Sequence, residues 1–583
     1  MAKQQPLKKQ LSVQKPQIKT KPVGNKSANA SKNIYDYLEA HFSTKSRFYL
    51  ILLTGLAFLF SIMCFDNKIS ITNDDALYIE SGAKYARAFF AKESWYTANA
   101  PLYPIILGLL IKIIGVRLML LKLFSVVCFS TAVLFIYKAF EKRIPYIILI
   151  PGLLLTAINF HFLIYASLTY TETFSLMIFG ICFLYLFRIF EKLDTDTYNF
   201  KKSIPLFLLA GFLCFLMMIT RSVALAAIGV LALFLVYRKK YKEAGASVAG
   251  FMIFYVLYKL AITYIWKVDA SQFAMQTQLM FQKDVHNPQL GNEDFAGFIT
   301  RFWQNCQIYI SSRFYYVLGF REELSENNIP LTLFSIGLIV WSTVLMHKKK
   351  QYVLLFTSLF VITLLAVTFI SLNVIWGQSR LIMLYLPFIL FCLFYIFYFY
   401  GQQFNFLQII YPFIFFILFF VSISATLKIA KEKLPIFIEN LSGDPTYGYT
   451  PDWQNYIKMS EWCAKTFPNE TKSIAVRKAP MSFIFSNGKE FYPIYSTPTQ
   501  NADTLLMPLR ESKVNYLMTS ELRANPDMYV EGQIIGTMHR YAYYIQEKYP
   551  NAFQFVHQEG DVEEAVLYKI NYAYIDSVKN ISR

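Results

Sequence analysis

Two adjacent carboxylates, Asp74 and Asp75, occupy the polar stretch 71–78 between two apolar runs. Carboxylates are costly inside hydrocarbon and cheap at its solvated edge, so a pair placed just beyond an apolar run is positioned for proton transfer. The same pair also reads as the polar end of one helix and the start of the next, with Asp75 as N-cap. Other groups brought to the same place decide between the readings. Glu172, Arg221 and Arg380 each stand beside an apolar run. Singly, Glu172 is a first-turn carboxylate favoured by the helix dipole, and the arginines are headgroup anchors. Jointly, acids and bases at one membrane depth suit a reaction centre at the interface better than an ion pathway through the core.

The elements that must position these groups follow from composition. Of 583 residues, 55% are hydrophobic and only 16% charged, a balance foreign to soluble domains. The apolar residues fall in runs of about 17–25, the length of a membrane-crossing helix. The chain reads as a polytopic α-helical membrane protein. Its net charge of +18 does not point to nucleic acid, because the basic residues gather in short inter-span loops and the N-terminal tail. The seven cysteines show no metal or disulfide spacing, and five lie inside apolar runs.

Residues 1–46 form a basic cytoplasmic tail. Positions 1–33 hold many lysines and no acids, a composition that cannot bury enough apolar surface to fold. The first span, 47–65, is an uncleaved anchor that carries the Asp74–Asp75 loop outward. Residues 75–92 suit an interfacial helix, with Glu80, Lys84 and Arg87 on one side and Tyr78, Tyr85 and Phe89 on the other. The stretch 101–115 is short for a span and contains Lys112, so it reads as a second interfacial or re-entrant helix. If it does not cross, the clusters at 141–143, 188–202, 238–240 and 347–350 all fall on the cytoplasmic side. If it crosses, they all fall outside. The non-crossing choice gives about eleven spans: 47–65, 117–138, 146–166, 172–190, 204–220, 222–238, 246–266, 330–347, 352–372, 380–400 and 407–427.

An odd number of spans leaves the C-terminal part extracytoplasmic, in a multi-pass inner (plasma) membrane protein. Within the long outer loop 267–329, Phe295, Ile299, Phe302, Trp303, Cys306 and Ile310 form an apolar stripe, and Thr300, Gln304, Gln307 and Ser311 face away. Such a helix would lie across the bundle mouth as a lid or serve as an interface anchor. Residues 47–430 thus make the transmembrane domain. From 431 to 583 the composition turns polar. β-like stretches at 473–476, 514–518, 554–556 and 565–570 alternate there with helical ones at 453–467 and 536–549, as in a small soluble α/β domain.

The Asp74-Asp75-Ala76-Leu77-Tyr78 piece, with Ala100-Pro101-Leu102-Tyr103-Pro104, Glu172 and a late Arg380, resembles the GT-C glycosyltransferases. The resemblance is to the protein O-mannosyltransferase and lipid A aminoarabinose-transferase group and covers 47–427. It implies a polyprenyl-phosphate sugar donor and an acceptor hydroxyl of a protein, lipid or glycan on the outer face. It also implies Asp74 as the general base or acceptor-positioning carboxylate, and Tyr78 and Glu172 shaping the acceptor and sugar site. Arg380 and Arg221 would hold the lipid phosphate. Where relatives carry Lys or His before the Pro-Leu-Tyr-Pro segment, this chain has Asn99-Ala100, which shifts the phosphate contact to Lys84, to Arg87 or to the arginines alone.

The chemistry agrees with that inventory. Glycosyl transfer passes through an oxocarbenium-like state. A phosphate leaving group is already a stable anion and needs no acid. What remains is a carboxylate to take the acceptor proton and cations to stabilise the departing phosphate. A divalent cation bridging Asp75 and the phosphate is left open. Two other readings stand beside this one. A polysaccharide ligase or polymerase would depend on outer Arg and His rather than Asp74. A transporter or flippase of lipid-linked glycans would carry its charges near mid-membrane on broken helices.

Overall fold

The computed structural model describes residues 34–70, 74–89, 100–268, 278–284, 290–323, 325–524 and 533–581. The 1–33 tail and Asn99 therefore lie outside the described residues. Among the described residues, eight helices are long and apolar enough to cross a membrane. A ninth crossing is the pair Tyr146–Ala157 and Phe160–Ala166, bent by 55°. The bend is organised by Asn159. Its side chain accepts from the His161 N–H at 3.1 Å and donates to the Val317 carbonyl at 2.7 Å. Two shorter apolar helices, Ser222–Tyr237 and Leu386–Gly401, lie where the sequence reading places two further spans.

The third short apolar helix, Leu102–Ile114, does not cross, and one contact decides it. Ser46, at the start of the first span, donates to Glu141 at 2.6 Å, and Glu141 directly follows the span Leu118–Phe140. Were Leu102–Ile114 a crossing, those two residues would stand on opposite faces. Instead Leu102–Ile114 packs beside Asp74–Arg87 as a surface hairpin. The approach is close: a Cβ at Gly82 would stand 2.9 Å from Leu107 Cβ, and one at Gly108 would stand 2.7 Å from the Gly82 carbonyl. Small residues let helix backbones meet in this way.

The two ends of the bundle differ in charge. One end carries the Arg143–Glu191 pair at 2.8 Å, the Arg238–Asp194 pair and the Tyr237–His347 hydrogen bond at 2.9 Å. The basic clusters foreseen on a single side are therefore neighbours. The other end carries Asp74, Glu172, Arg221 and Arg380.

The amphipathic helix of the long loop exists, at Phe295–Cys306, and keeps the expected face in part: Cys306 and Ile310 are buried, and Thr300 and Gln304 are exposed. Phe295 and Ile299 are exposed, whereas Arg301, Asn305 and Ser311 are buried. Hydrogen bonding outweighs hydropathy here. Asn305 donates to the carbonyls of Phe369 and Leu372, both at 2.8 Å, and Arg301 donates to Gln282 O at 2.6 Å and Glu293 at 2.9 Å. The helix is thus fastened along the span Tyr352–Ser371. Its exposed apolar residues at the membrane edge cost little. It continues through a π-helical turn, Gln307–Arg313, into Phe314–Val317.

The helix Leu407–Ser442 leads out of the bundle, and position 430 falls inside it. Beyond it a five-stranded sheet has the order Tyr492–Pro493, Ile474–Val476, Tyr516–Ser520, Ala565–Ile570, Phe553–Glu559. The first three strands are parallel and the last two antiparallel, with an irregularity between Phe555 and His557. All four β-like stretches and both helical ones read from the sequence are present. The sheet domain is pinned to the surface hairpin. Arg87 donates to the Gly488 carbonyl at 2.6 Å and to Glu490 at 2.9 Å, and Ile69 N–H donates to the Tyr449 hydroxyl at 2.8 Å.

Candidate active site

Four of the charged residues singled out in the sequence meet at one mouth of the bundle, each at a helix end. Asp74 opens the helix Asp74–Arg87, and Glu172 is in the first turn of Thr171–Leu193. Arg221 ends Phe200–Thr220, and Arg380 opens the short helix Arg380–Met383. Helix ends place polar groups at the membrane boundary with minimal desolvation. Arg380 Nη2 donates to Asp74 Oδ2 at 3.0 Å, and Arg221 Nη1 to Glu172 Oε1 at 3.3 Å.

Around this pair of pairs the aromatic residues are ordered. The Arg380 guanidinium lies 4.9 Å from the Tyr170 ring centroid, and its Nε donates to Gln378 Oε1 at 2.6 Å. Tyr78 meets Tyr103 edge-on at 5.5 Å, which joins the Asp-Asp-Ala-Leu-Tyr and Pro-Leu-Tyr-Pro pieces in space. Burial, then the Glu172 carboxylate, push the Tyr78 phenol up to about 12, so it stands as a neutral hydroxyl.

Asp74 and Asp75 have different surroundings. The Asp74 side chain is 32% exposed, whereas Asp75 is fully enclosed. Asp75 accepts from the Ser70 N–H at 3.0 Å, the Ser70 hydroxyl at 2.9 Å and the Ala76 N–H at 3.0 Å. Lys122 Nζ, itself buried near the start of the span Leu118–Phe140, stands 4.0 Å away. Ser70 Oγ also lies 2.8 Å from the Tyr170 hydroxyl. A chain of contacts therefore runs from Asp75 through Ser70 and Tyr170 to Arg380 and Asp74. This donor set fits Asp75 as a staple and not as a metal ligand. Among the described residues, no three His, Cys, Asp or Glu side chains converge to hold a metal ion.

Lys84 is not part of the cluster. It pairs with Glu80 at 3.4 Å, and at 1.5 Å rise per residue it lies about 15 Å along the helix from Asp74. Arg87 is committed to the C-terminal domain. Three groups beside the cluster escaped the sequence reading. Lys122 looked like one charge in an apolar run, and Tyr170 like one of many aromatics. Lys478, hundreds of residues away, is close enough to feel the charges of both Asp74 and Asp75. Glu172 Oε2 is buried with no hydrogen-bond partner among the described residues, which leaves one acceptor unused.

No protein-family model and no curated protein matches the sequence. Among solved structures, ArnT from Cupriavidus metallidurans bound to undecaprenyl phosphate is similar at TM-score 0.51 and 10% identity, over 89% of this chain and 98% of that one. The Archaeoglobus fulgidus oligosaccharyltransferase tethered with an acceptor peptide is similar at TM-score 0.49 and 10% identity, over 90% of this chain and 74% of that one. The chain has the GT-C fold: a polytopic helical bundle with two further helices between its first two spans and a small C-terminal α/β unit.

Proposed function

We propose that this protein is a membrane glycosyltransferase that moves a sugar from a polyprenyl-phosphate carrier to an acceptor hydroxyl. The observation that carries the proposal is the Asp74–Arg380 ion pair at 3.0 Å, at the same mouth as Glu172–Arg221. In the absence of donor, Arg380 is paired with Asp74. An arriving phosphate competes for the guanidinium, a preferred partner of phosphate oxygens. Asp74 is then released to accept the proton of the acceptor hydroxyl as that oxygen attacks the anomeric carbon. The bond from anomeric carbon to phosphate oxygen breaks, and the phosphate departs as an anion stabilised by Arg380 and Arg221. Glu172 positions Arg221, and its unpartnered oxygen accepts from a sugar or acceptor hydroxyl. Attack opposite the leaving group inverts the anomeric centre.

The positive-inside bias makes the basic end cytoplasmic and sets the mouth and the C-terminal domain outside. The likeness to a protein holding undecaprenyl phosphate supports a lipid-phosphate carrier. The test is binding of undecaprenyl phosphate to the full chain in nanodiscs. The wild type binds, and Arg380→Gln binds at least tenfold more weakly. Equal affinity of the two would remove Arg380 from the phosphate site.

A further inference from the structure

The end of the bundle opposite the mouth holds a cleft of about 1000 Å³. One wall is the break between the helices Ile34–Thr44 and Ser46–Met63, and the other is the turn 141–145. Two hydrogen bonds fix the walls together: Ser46 donates to Glu141 at 2.6 Å, and the Tyr137 hydroxyl donates to the Ser46 carbonyl at 2.9 Å. Lys45 and Arg47 flank Ser46, and Lys142 follows Glu141, so the same contact gathers three cations around one opening.

The other charged residues of the cleft have partners. Glu39 accepts from the N–H groups of Tyr146 at 3.0 Å and Ile147 at 2.9 Å, at the start of the helix Tyr146–Ala157. Glu141 accepts from Lys138 at 2.8 Å as well as from Ser46, and Arg143 pairs with Glu191 at 2.8 Å. Lys45, Arg47 and Lys142 are exposed, and among the described residues their side chains make no ion pair or hydrogen bond. Three like charges on one rim repel one another and favour an anion between them. The tail 1–33 contains no acidic residue, so it does not supply that anion.

The span beside the cleft says what kind of anion fits. Phe48, Ile51, Leu52, Phe58 and Leu59 are exposed, and a Cβ at Gly55 would meet nothing within 4 Å. An open apolar strip therefore runs along the helix from Arg47. A small soluble anion would use the cations alone. An anionic phospholipid uses both features, with its phosphate at the rim and its acyl chains along the strip. The positive-inside bias sets this end in the cytoplasmic leaflet, where anionic headgroups attract juxtamembrane Lys and Arg.

We propose that Lys45, Arg47 and Lys142 bind the phosphate of an anionic phospholipid, which bridges the first span and the turn 141–145. The site lies at the far end of the bundle from Asp74 and is independent of the glycosyl-transfer reading.

The experiment is native mass spectrometry of the full chain in detergent, titrated with phosphatidylglycerol and, separately, with phosphatidylcholine. The wild type should take its first phosphatidylglycerol at least tenfold more tightly than its first phosphatidylcholine. Each cation beside such a headgroup is worth about fivefold. Arg47→Gln combined with Lys142→Gln should therefore weaken phosphatidylglycerol at least tenfold and leave phosphatidylcholine unchanged. Arg47→Lys with Lys142→Arg should keep the wild-type affinity. Lys348→Gln with Lys350→Gln removes the same charge from another loop at this end and should change nothing. Inorganic phosphate at the lipid's concentration should not displace it. A wild type without preference for phosphatidylglycerol, or an unweakened Arg47→Gln, Lys142→Gln variant, overturns the proposal. So does an equal loss in either control pair, or displacement by inorganic phosphate, which would make the cleft a site for free anions.

Discussion

Asp74 and Asp75 are adjacent in sequence and face different environments: Asp74 reaches solvent and pairs with Arg380 at 3.0 Å, while Asp75 is enclosed beside Lys122 at 4.0 Å. On a helix, consecutive residues point about 100° apart. One carboxylate can therefore serve the mouth while the next ties the loop 66–70 to the helix behind it.

The two aspartates should separate by experiment. Asp75→Asn keeps the shape but weakens a buried network of hydrogen bonds and charge, at a cost of about 1–3 kcal/mol. Its thermal midpoint should fall. The cost of Asp75→Asn combined with Lys122→Met should be less than the sum of the single costs, because each variant leaves the other's partner buried and unmatched. Asp74→Asn, partly exposed, should leave the midpoint nearly unchanged.

Arginine geometry gives a second outcome. Arg380 uses Nη2 for Asp74, Nε for Gln378 and its flat face for Tyr170. A lysine cannot reproduce that fork or the stacking. Arg380→Lys should therefore bind undecaprenyl phosphate nearly as poorly as Arg380→Gln in a nanodisc titration.

The surface hairpin supplies a third. Gly82 and Gly108 meet where a Cβ would be 2.9 Å or less from a neighbouring atom. Gly82→Leu should overpack the hairpin and destabilise it by about 1–3 kcal/mol. Limited proteolysis between 88 and 101 should accelerate, since both flanking helices would loosen.

Much of this architecture was legible because the bilayer is a strict solvent. Run length fixed the spans, and the one-sided grouping of basic loops put Asp74, Glu172, Arg221 and Arg380 at the same end before any coordinates. Relations between distant residues at that end were less accessible. Nothing in spacing shows that Asp75 turns inward, because that depends on Ser70 and Lys122 meeting it from separate segments. Hydropathy gave only part of the buried face of Phe295–Cys306, since a moment cannot register that Asn305 satisfies two carbonyls at the end of another span.

The most direct measurement is sugar transfer by Asp74→Asn in nanodiscs supplied with a polyprenyl-phosphate sugar, scored beside donor binding by the same variant. If Asp74 takes the acceptor proton, turnover should fall by at least about a hundredfold, within the usual contribution of a general base, while donor affinity stays within a few-fold of wild type. Wild-type turnover by Asp74→Asn would contradict that role.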